Sequence, residues 1–305
     1  MAESLQAFLD RTRDRIDEAL DRCLPSPPAC PDIVSEAMRY SVFAGGKRLR
    51  PVLALAAAEA VDRDAIDLAL PVACAIELIH TYSLIHDDLP AMDNDTLRRG
   101  RPTLHVVYGD GIAILAGDGL HAEAFTLLAR EPATDEPGVA ARKLRAIRVV
   151  GNAAGPSGMV GGQAIDLQAA GQAPGHPLTI DAERLQAMHA RKTGALIRAS
   201  AVSGAIMAGA GDSVVGAIDA YATDVGLAFQ IVDDILDVEG DAASLGKSAG
   251  KDAAGSKPTY PALFGLDRSR QLAAECLDRA RASLERAHLG GQLGAIAEWV
   301  VTRKS

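Results

Sequence analysis

The sequence predicts an all-α protein in which residues 1–305 form one domain, a single large helical bundle. Hydrophobic residues make up 48% of the chain and charged residues 23%, the balance of an ordinary globular protein. Alanine and leucine are abundant and aromatic residues make up only 4%, a composition that favours helices. Apolar residues recur at helical spacing, and no stretch of convincing length alternates as a strand does.

The bounds of the predicted helices follow from proline and glycine, because proline is tolerated in the first turn of a helix and glycine commonly ends one. The predicted helices run from Leu5 through Leu20 to the proline-rich segment 24–28, from Pro31 towards Phe43 with a stop at Gly45 and Gly46, from Pro51, from near Pro71 towards Asp88, and over 111–130, 140–154, 181–211, 213–238 and 267–287. The predicted loops cover 132–138, 171–177 and 240–258.

Charge and cysteine content exclude several classes of function. The net charge of −9 argues against nucleic acid as a partner. The four cysteines have no spacing typical of a zinc site, so they are expected to be reduced thiols of a cytoplasmic protein. The segment 1–24 is too charged for a signal peptide, and we expect no membrane span, since the apolar segment Ala195–Ala210 carries Arg198.

Two aspartate clusters, each preceded by an apolar helical stretch, stand out. The first contains Asp87, Asp88 and Asp93, and the second contains Asp233 and Asp237. Aspartates are usually solvated surface residues, but carboxylates gathered in an apolar setting need a counter-charge. We therefore interpret the clusters as a functional site.

The spacing of the aspartates favours magnesium. Asp233 and Asp237 are four residues apart, so they share one face of a helix. Magnesium keeps several waters and binds one or two carboxylates together with substrate phosphates. Asp87 and Asp93 are six residues apart and would diverge on a regular helix. We predict that the helix ends or bulges near Leu89, because of Pro90, and that Asp93 turns back towards Asp87.

Basic residues near these clusters suggest two phosphate-rich ligands, one bridged through magnesium and one held by basic side chains. They lie in the segments Gly45–Arg50, Arg98–Arg101 and Arg191–Gly194, and at Lys247, Lys251 and Lys257. Taken singly, each is more often a surface residue than a ligand. The Gly-Gly-Lys sequence does not match a Walker motif, since the spacing and the preceding strand are missing.

Five segments together resemble the short-chain trans-isoprenyl diphosphate synthases, and the likeness is greatest to the bacterial farnesyl diphosphate synthases. They are GGKRLRP, HTYSLIHDDLPAMDNDTLRRGRPT, GGQAIDL, RKTGALI and FQIVDDILD, in that order between about Tyr40 and Leu266. The resemblance implies the isoprenoid synthase type of bundle around a central apolar cavity. It also implies a homodimer that joins isopentenyl diphosphate to dimethylallyl or geranyl diphosphate, giving (2E,6E)-farnesyl diphosphate.

The resemblance also implies roles for individual residues. Magnesium, three ions per active site with Mn²⁺ as a substitute, would be bound by Asp87, Asp88, Asp93, Asp233 and Asp237. The allylic diphosphate would be held by Arg98, Lys192, Lys247 and Lys257, and isopentenyl diphosphate by Lys47, Arg50, His80 and Arg99. Thr193 and Gln230 would face the developing carbocation, and Asp166 would support the ligand residues. Relatives more often have Gly-Lys-Ser-Thr where this chain has Ser256-Lys257-Pro258-Thr259, so the role of Lys257 is the weakest of these assignments.

Product length is predicted to depend on Tyr82, five residues before Asp87 and therefore about 7.5 Å away along a helix. A ring there would form a floor for the growing chain, whereas the neighbouring Ser83 is too small to block it. A core aromatic that merely packs is the alternative reading of Tyr82. Three other readings of the protein stay open: a geranylgeranyl or longer-chain synthase, a class I terpene cyclase, and a non-catalytic partner subunit. The intact second aspartate motif opposes the last two.

Overall fold

The computed structural model describes residues 3–240 and 259–303, and these residues form a helical bundle. The helices are α1 Leu5–Cys23, α2 Asp32–Val42, α3 Leu49–Val61, α4 Ile66–Asp87, α5 Leu104–Tyr108, α6 Asp110–Arg130, α7 Pro137–Ala154, α8 Met159–Ala169, α9 Ala182–His189, α10 Ala195–Met207, α11 Asp212–Glu239, α12 Tyr260–Phe264, α13 Leu266–Arg286 and α14 Leu293–Thr302. A 3-10 turn, Arg63–Ala65, precedes α4, and a π-helical turn, Ala190–Gly194, joins α9 to α10. The all-α prediction is confirmed.

Three helices form the centre of the bundle. Side chains are buried continuously over 49–58 in α3, 72–79 in α4 and 199–207 in α10, so these stretches are covered on every side. The helix α4 packs against α3, α6 and α10, and α10 also contacts α7 and α11. Both aspartate clusters lie in or just after the carboxyl-terminal halves of helices that pack on this core, α4 and α11.

Several predicted helix bounds were wrong. The third helix begins at Leu49 rather than Pro51, and α4 begins at Ile66, so that Pro71 lies inside it. The sequence also gave no indication of α8, whose first turn is glycine-rich. A short antiparallel pair, β1 (Leu97–Arg98) with β2 (Arg101–Pro102), was not predicted because two residues are too few to show alternation.

The helices that could cross a membrane by length and composition do not include Ala195–Ala210, the segment that the sequence analysis considered. The helices 63–87, Asp110–Arg130 and Asp212–Glu239 are long and apolar enough to cross a membrane by length and composition alone. In the first of these, 67% of the most apolar stretch is buried inside the bundle, against 39% in the second. The expectation of no membrane span therefore stays a prediction.

Candidate active site

A cavity of about 580 Å³ opens at the end of the bundle where α4 and α11 finish. Most of the predicted site residues line it: Lys47, Arg50, His80, Asp87, Asp93, Arg98, Arg99, Lys192, Thr193, Gln230 and Asp233. Its wall is largely charged, with Leu49, Leu84, Met188 and Phe229 as its larger apolar members. Among residues 3–240 and 259–303, this end of the bundle therefore differs from the apolar cavity that the resemblance implied.

The first aspartate cluster has the predicted turn. The helix α4 ends at Asp87, and the backbone N–H of Asp93 donates to the carbonyl oxygen of Asp87 at 2.9 Å. Asn94 adopts a left-handed backbone conformation, with φ of 51°, just after this turn. The chain thus folds back on itself within six residues and brings Asp87 and Asp93 to the same wall of the cavity.

Asp87 has a pKa well above the usual value for an aspartate. Burial, together with the nearby carboxylates of Asp93 and Asp166, raises its pKa to about 6, although Lys192 and Arg98 oppose the change. The side-chain amide of Gln163 donates a hydrogen bond to it. A buried carboxylate close to other carboxylates is stabilised by a cation, so this wall suits a metal ion.

Asp88 is buried and forms an ion pair with Arg98, whose Nη2 lies 2.6 Å from Oδ1. It does not line the cavity, and neither does Asp237, one turn beyond Asp233 on α11. Lys247 and Lys257 lie outside the described residues. The structure therefore brings Asp87, Asp93 and Asp233 to one cavity, whereas Asp88 and Asp237 are not among the residues that line it.

These carboxylates fit magnesium bound jointly with a substrate. Within 3–240 and 259–303, no group of three His, Cys, Asp or Glu side chains converges as a ready-made metal site. Magnesium does not require one, since it binds one or two carboxylates and takes its other ligands from water and phosphate. Asp87, Asp93 and Asp233 all line the cavity and are the residues that would hold such an ion, which would supply positive charge to a bound phosphate group.

Lys192 and Thr193 lie in the π-helical turn Ala190–Gly194, where the sequence predicted a continuous helix over 181–211. Such turns occur mostly as single insertions at functional sites. Two glycines allow close packing around this one: a Cβ at Gly162 would overlap the backbone of Lys192, and one at Gly226 would crowd Gly194. The extra residue in the turn redirects Lys192 and Thr193 to the cavity.

The side chains in this turn are held by polar contacts. Lys192 Nζ lies 2.5 Å from Oδ2 of Asp166, and Asp87 and Asp166 raise the lysine pKa despite the opposing effect of burial. Thr193 Oγ1 donates to Gln230 Oε1 at 3.0 Å, and Gln230 Nε2 in turn donates to Asp234 at 3.2 Å. Thr193 and Gln230, which were both expected to face the developing carbocation, are thus joined by a hydrogen bond.

Arginine side chains gather near Gly45–Arg50. Arg50 is buried, and its Nε makes no hydrogen bond within the described part of the chain. Burial lowers its pKa to about 10. Burial and Arg50 hold the pKa of His80 well below its usual value, so that ring is neutral. A buried guanidinium nitrogen without an acceptor at a cavity wall is suited to an anionic ligand.

Other residues at the cavity were missed by sequence reasoning. Arg303 follows α14, and its Nη2 lies 2.6 Å from Oδ1 of Asp233, with its guanidinium 4.2 Å from the centre of the Phe229 ring. His189 is buried, and burial lowers its pKa to about 4. Glu77 pairs with Arg48 at 2.9 Å. No motif spacing indicated Arg303 or Glu77, because each meets its partner only through the packing of distant helices.

Comparison with known proteins identifies this arrangement. A family model described as polyprenyl synthetase matches residues 31–288. A farnesyl diphosphate synthase of Geobacillus stearothermophilus is 43% identical over 301 residues, which cover 98% of each chain. A geranylgeranyl diphosphate synthase of Cyanophora paradoxa is 41% identical over 304 residues, which cover 99% of this chain and 97% of the relative.

A solved structure shows the same similarity to prenyl diphosphate synthases. The crystal structure of an FPP/GFPP synthase from Zymomonas mobilis, without ligand, superimposes with a TM-score of 0.80 at 39% identity, covering 98% of this chain and 97% of that one. The sequence and structural matches therefore run over nearly the whole length of both partners. The chain belongs to the polyprenyl synthetase family and is a short-chain prenyltransferase.

Proposed function

We propose that the protein is a magnesium-dependent farnesyl diphosphate synthase. It would condense isopentenyl diphosphate with dimethylallyl diphosphate and then with geranyl diphosphate, head to tail. The observation that carries this proposal is the single cavity whose walls hold Asp87 and Asp93, Asp233, Lys192 and Arg50. Such a wall offers both carboxylates for metal-bound diphosphate and cations for direct diphosphate binding.

In the proposed reaction the bond between the allylic carbon and its diphosphate breaks, and the diphosphate leaves with the electron pair. Magnesium, when bound through Asp87, Asp93 and Asp233, supplies positive charge to the leaving group. Lys192, oriented by Asp166, adds a second positive charge at the same point. Both effects are electrostatic stabilisation of charge that develops in the transition state.

Carbon–carbon bond formation then uses the double bond of isopentenyl diphosphate, which attacks the allylic cation. Arg50, Lys47, Arg99 and His80 would hold the diphosphate of this second substrate. The oxygens of Thr193 and Gln230 would face the cation. A proton then leaves the adduct. The base we propose is the departed diphosphate, since Lys192 and the neutral His80 ring are both assigned to diphosphate binding.

Product length is assigned to Tyr82 on α4. Its side chain is buried, with 9% of the residue exposed, and packs on His121 of α6 with ring centres 4.7 Å apart. Phe125 extends this aromatic contact, its ring 5.5 Å from that of His121. Ser83 donates its hydroxyl to the His80 carbonyl at 2.8 Å and adds little bulk. The aromatic layer between α4 and α6 supports a stop at fifteen carbons.

A geranylgeranyl diphosphate synthase is the second candidate, because the Cyanophora paradoxa relative bearing that name is almost as similar as the Geobacillus stearothermophilus farnesyl diphosphate synthase. The test is to incubate the purified protein with magnesium, isopentenyl diphosphate and, separately, dimethylallyl, geranyl or farnesyl diphosphate. Dephosphorylated products are then separated by chromatography. Accumulation of farnesol supports the proposal, and geranylgeraniol from every starter favours the second candidate. No product from any starter would indicate a non-catalytic subunit.

We also propose that the protein acts in the cytoplasm as a homodimer. Val106, Val107, Ile114 and Leu115 are large apolar residues that lie exposed on α5 and α6. These four residues, here called the α5–α6 patch, are close in sequence and project from two helices that pack on each other. An apolar patch of this kind is commonly covered by a protein partner.

A further inference from the structure

The turn Gly45–Arg50 carries two residues assigned to isopentenyl diphosphate, Lys47 and Arg50, and its geometry depends on the residue between them. Arg48 adopts a left-handed conformation, with φ of 51° and ψ of 31°, at the residue that precedes α3. A residue with a side chain adopts this conformation at a cost in free energy, so the surrounding structure must hold it there. The contacts of the Arg48 side chain provide that constraint.

All three guanidinium nitrogens of Arg48 donate to protein acceptors on different elements. Nε reaches Asp17 of α1 at 2.9 Å, Nη1 reaches Glu77 of α4 at 2.9 Å, and Nη2 reaches the carbonyl oxygen of Val42 in α2 at 2.7 Å. Only 4% of the Arg48 side chain is exposed. The planar guanidinium therefore ties the turn to three helices at once, as only arginine can.

Arg50, two residues away, differs in its hydrogen bonding. Its Nε is buried and makes no hydrogen bond with the described residues, whereas every nitrogen of Arg48 is satisfied by protein. Both residues border the same cavity. The contrast separates their roles: Arg48 is held by the fold, and Arg50 is presented to a ligand.

Glu77 completes the arrangement as a shared counter-charge. Only 5% of its side chain is exposed, and it pairs directly with Arg48. Its negative charge also acts favourably on the guanidinium groups of Arg50 and Arg99. Several arginines crowded at one wall repel each other, and a buried carboxylate among them reduces that repulsion in the absence of substrate.

We propose that Arg48 and Glu77 are positioning residues for the isopentenyl diphosphate site: their buried ion pair fixes the turn from which Lys47 and Arg50 reach the substrate. The inference rests on the proposed function, because it takes the assignment of Lys47 and Arg50 from it. A displacement of about 1 Å in groups that orient a substrate can lower the rate about a hundredfold.

The central test is Arg48→Gly. Glycine adopts the left-handed conformation freely, so this change relieves backbone strain and removes only the side-chain contacts. We expect the KM for isopentenyl diphosphate to rise about tenfold or more, while the KM for geranyl diphosphate stays within about twofold. Arg50→Ala is the reference for direct loss of a ligand. His288→Gly is the matched control, since His288 is exposed and has a φ of 53° away from the cavity.

Two further variants keep the test decisive if Arg48→Gly does not fold. Arg48→Lys keeps the charge but cannot make three planar contacts, and Glu77→Gln keeps the shape but removes the counter-charge. Each is expected to raise the KM for isopentenyl diphosphate selectively. The two changes combined should have less effect than the product of the single effects, because both break one interaction.

Binding can also be measured without turnover. Trp299 is the sole tryptophan of the sequence, and its ring centre lies 6.0 Å from Lys47 Nζ. Isopentenyl diphosphate added without an allylic partner should change Trp299 fluorescence in the wild type, and the half-saturating concentration should rise in Arg48→Gly as the KM does. If the wild type condenses both substrates, but the Arg48 and Glu77 variants change the KM of both substrates equally or change neither, this inference alone is overturned. A wild type that neither condenses the substrates nor responds to isopentenyl diphosphate would overturn the proposed function with it.

Discussion

At the residue scale, the aspartates of the cavity differ in what they can do, although the sequence presents them as two similar clusters. Asp87 is partly buried near other carboxylates and has a raised pKa, Asp233 is paired with Arg303, and Asp234 accepts the backbone N–H of Tyr260 at 2.9 Å. All three line the cavity, but Asp234 is engaged in holding the start of α12. The metal prediction concerns Asp87 and Asp233.

Replacement of Asp87 or Asp233 by alanine is expected to lower kcat by about a hundredfold or more at saturating magnesium. Each change removes a metal ligand that acts mostly on charge developing in the transition state. Product formation is measured as incorporation of labelled isopentenyl diphosphate, and circular dichroism checks the fold. Asp219→Ala is the control, since Asp219 lies on α11 with Asp233 but pairs with Arg198 at the surface. Near-normal turnover in either cavity variant would contradict the metal assignment.

Sequence reasoning pointed to the cavity residues that lie in local motifs and missed those supplied by distant packing. The aspartate and lysine positions stand in short segments whose composition is unusual, so they could be found directly. Arg303 meets Asp233 across 70 positions of sequence because α14 packs on α3, α11 and α13. No local pattern encodes that contact, and the same holds for Glu77 and Arg48, which are 29 positions apart.

At the element scale, the bundle depends on close approach between helices. The helix α10 crosses α3 at Gly204, where a Cβ atom would overlap the carbonyl oxygen of Ala54 in the adjacent backbone. Backbone cannot move aside as a flexible side chain does, so the crossing requires glycine. This contact also fixes the core on which the π-helical turn and Lys192 are built.

Gly204→Ala is therefore expected to destabilise the protein by about 1–3 kcal/mol, the usual cost of overpacking a core. Gly216→Ala is the matched control, since Gly216 lies in α11 with open space where its Cβ would go. That change should stabilise the protein by roughly 0.5–1 kcal/mol, because alanine is the better helix former. Chemical denaturation of both variants measures the difference. Equal stability of the two variants would show that α3 and α10 can separate without cost.

Product length is also a property of elements, because the Tyr82 ring lies between α4 and α6. Tyr82→Ala would leave a space that one more isoprene unit can fill, and we expect geranylgeranyl or longer products. Loss of a buried ring can cost about 3–5 kcal/mol, so folding is checked by thermal denaturation. Tyr82→Phe keeps the ring and should still stop at fifteen carbons. A folded, active Tyr82→Ala enzyme that also stops there would locate the floor elsewhere.

The helices themselves were predicted well where apolar periodicity is long and poorly where special geometry intervenes. The pattern over 181–211 is continuous in sequence, yet the chain inserts a π-helical turn at Ala190–Gly194. One extra residue rotates the following helix by about 100°, but this shift is not apparent where apolar residues cover every side, as they do over much of α10. The reason for the turn is tertiary: Gly162 and Gly226 admit the bulged backbone between α8 and α11.

At the scale of the whole molecule, the α5–α6 patch has two physical readings. On the exposed side of α6 the large apolar residues are Ile114 and Leu115, and 39% of the most apolar stretch of this helix is buried. That side could face lipid or a second copy of the chain. The helix α6 contacts α2, α4, α5 and α7 through its other side, so it is packed into the bundle. The second copy is the occupant we propose.

Leu115→Glu tests this proposal, because 54% of Leu115 is exposed and a charge there would be buried in a dimer without a partner. The wild type is expected to sediment as a dimer, and Leu115→Glu to dissociate to monomers at micromolar concentration. Leu144→Glu is the matched control, since Leu144 on α7 is 70% exposed outside the patch and should leave the dimer intact. A monomeric wild type, or a dimeric Leu115→Glu variant, would contradict a dimer through this patch. Flotation of the wild type with phosphatidylcholine vesicles would instead favour lipid as the occupant.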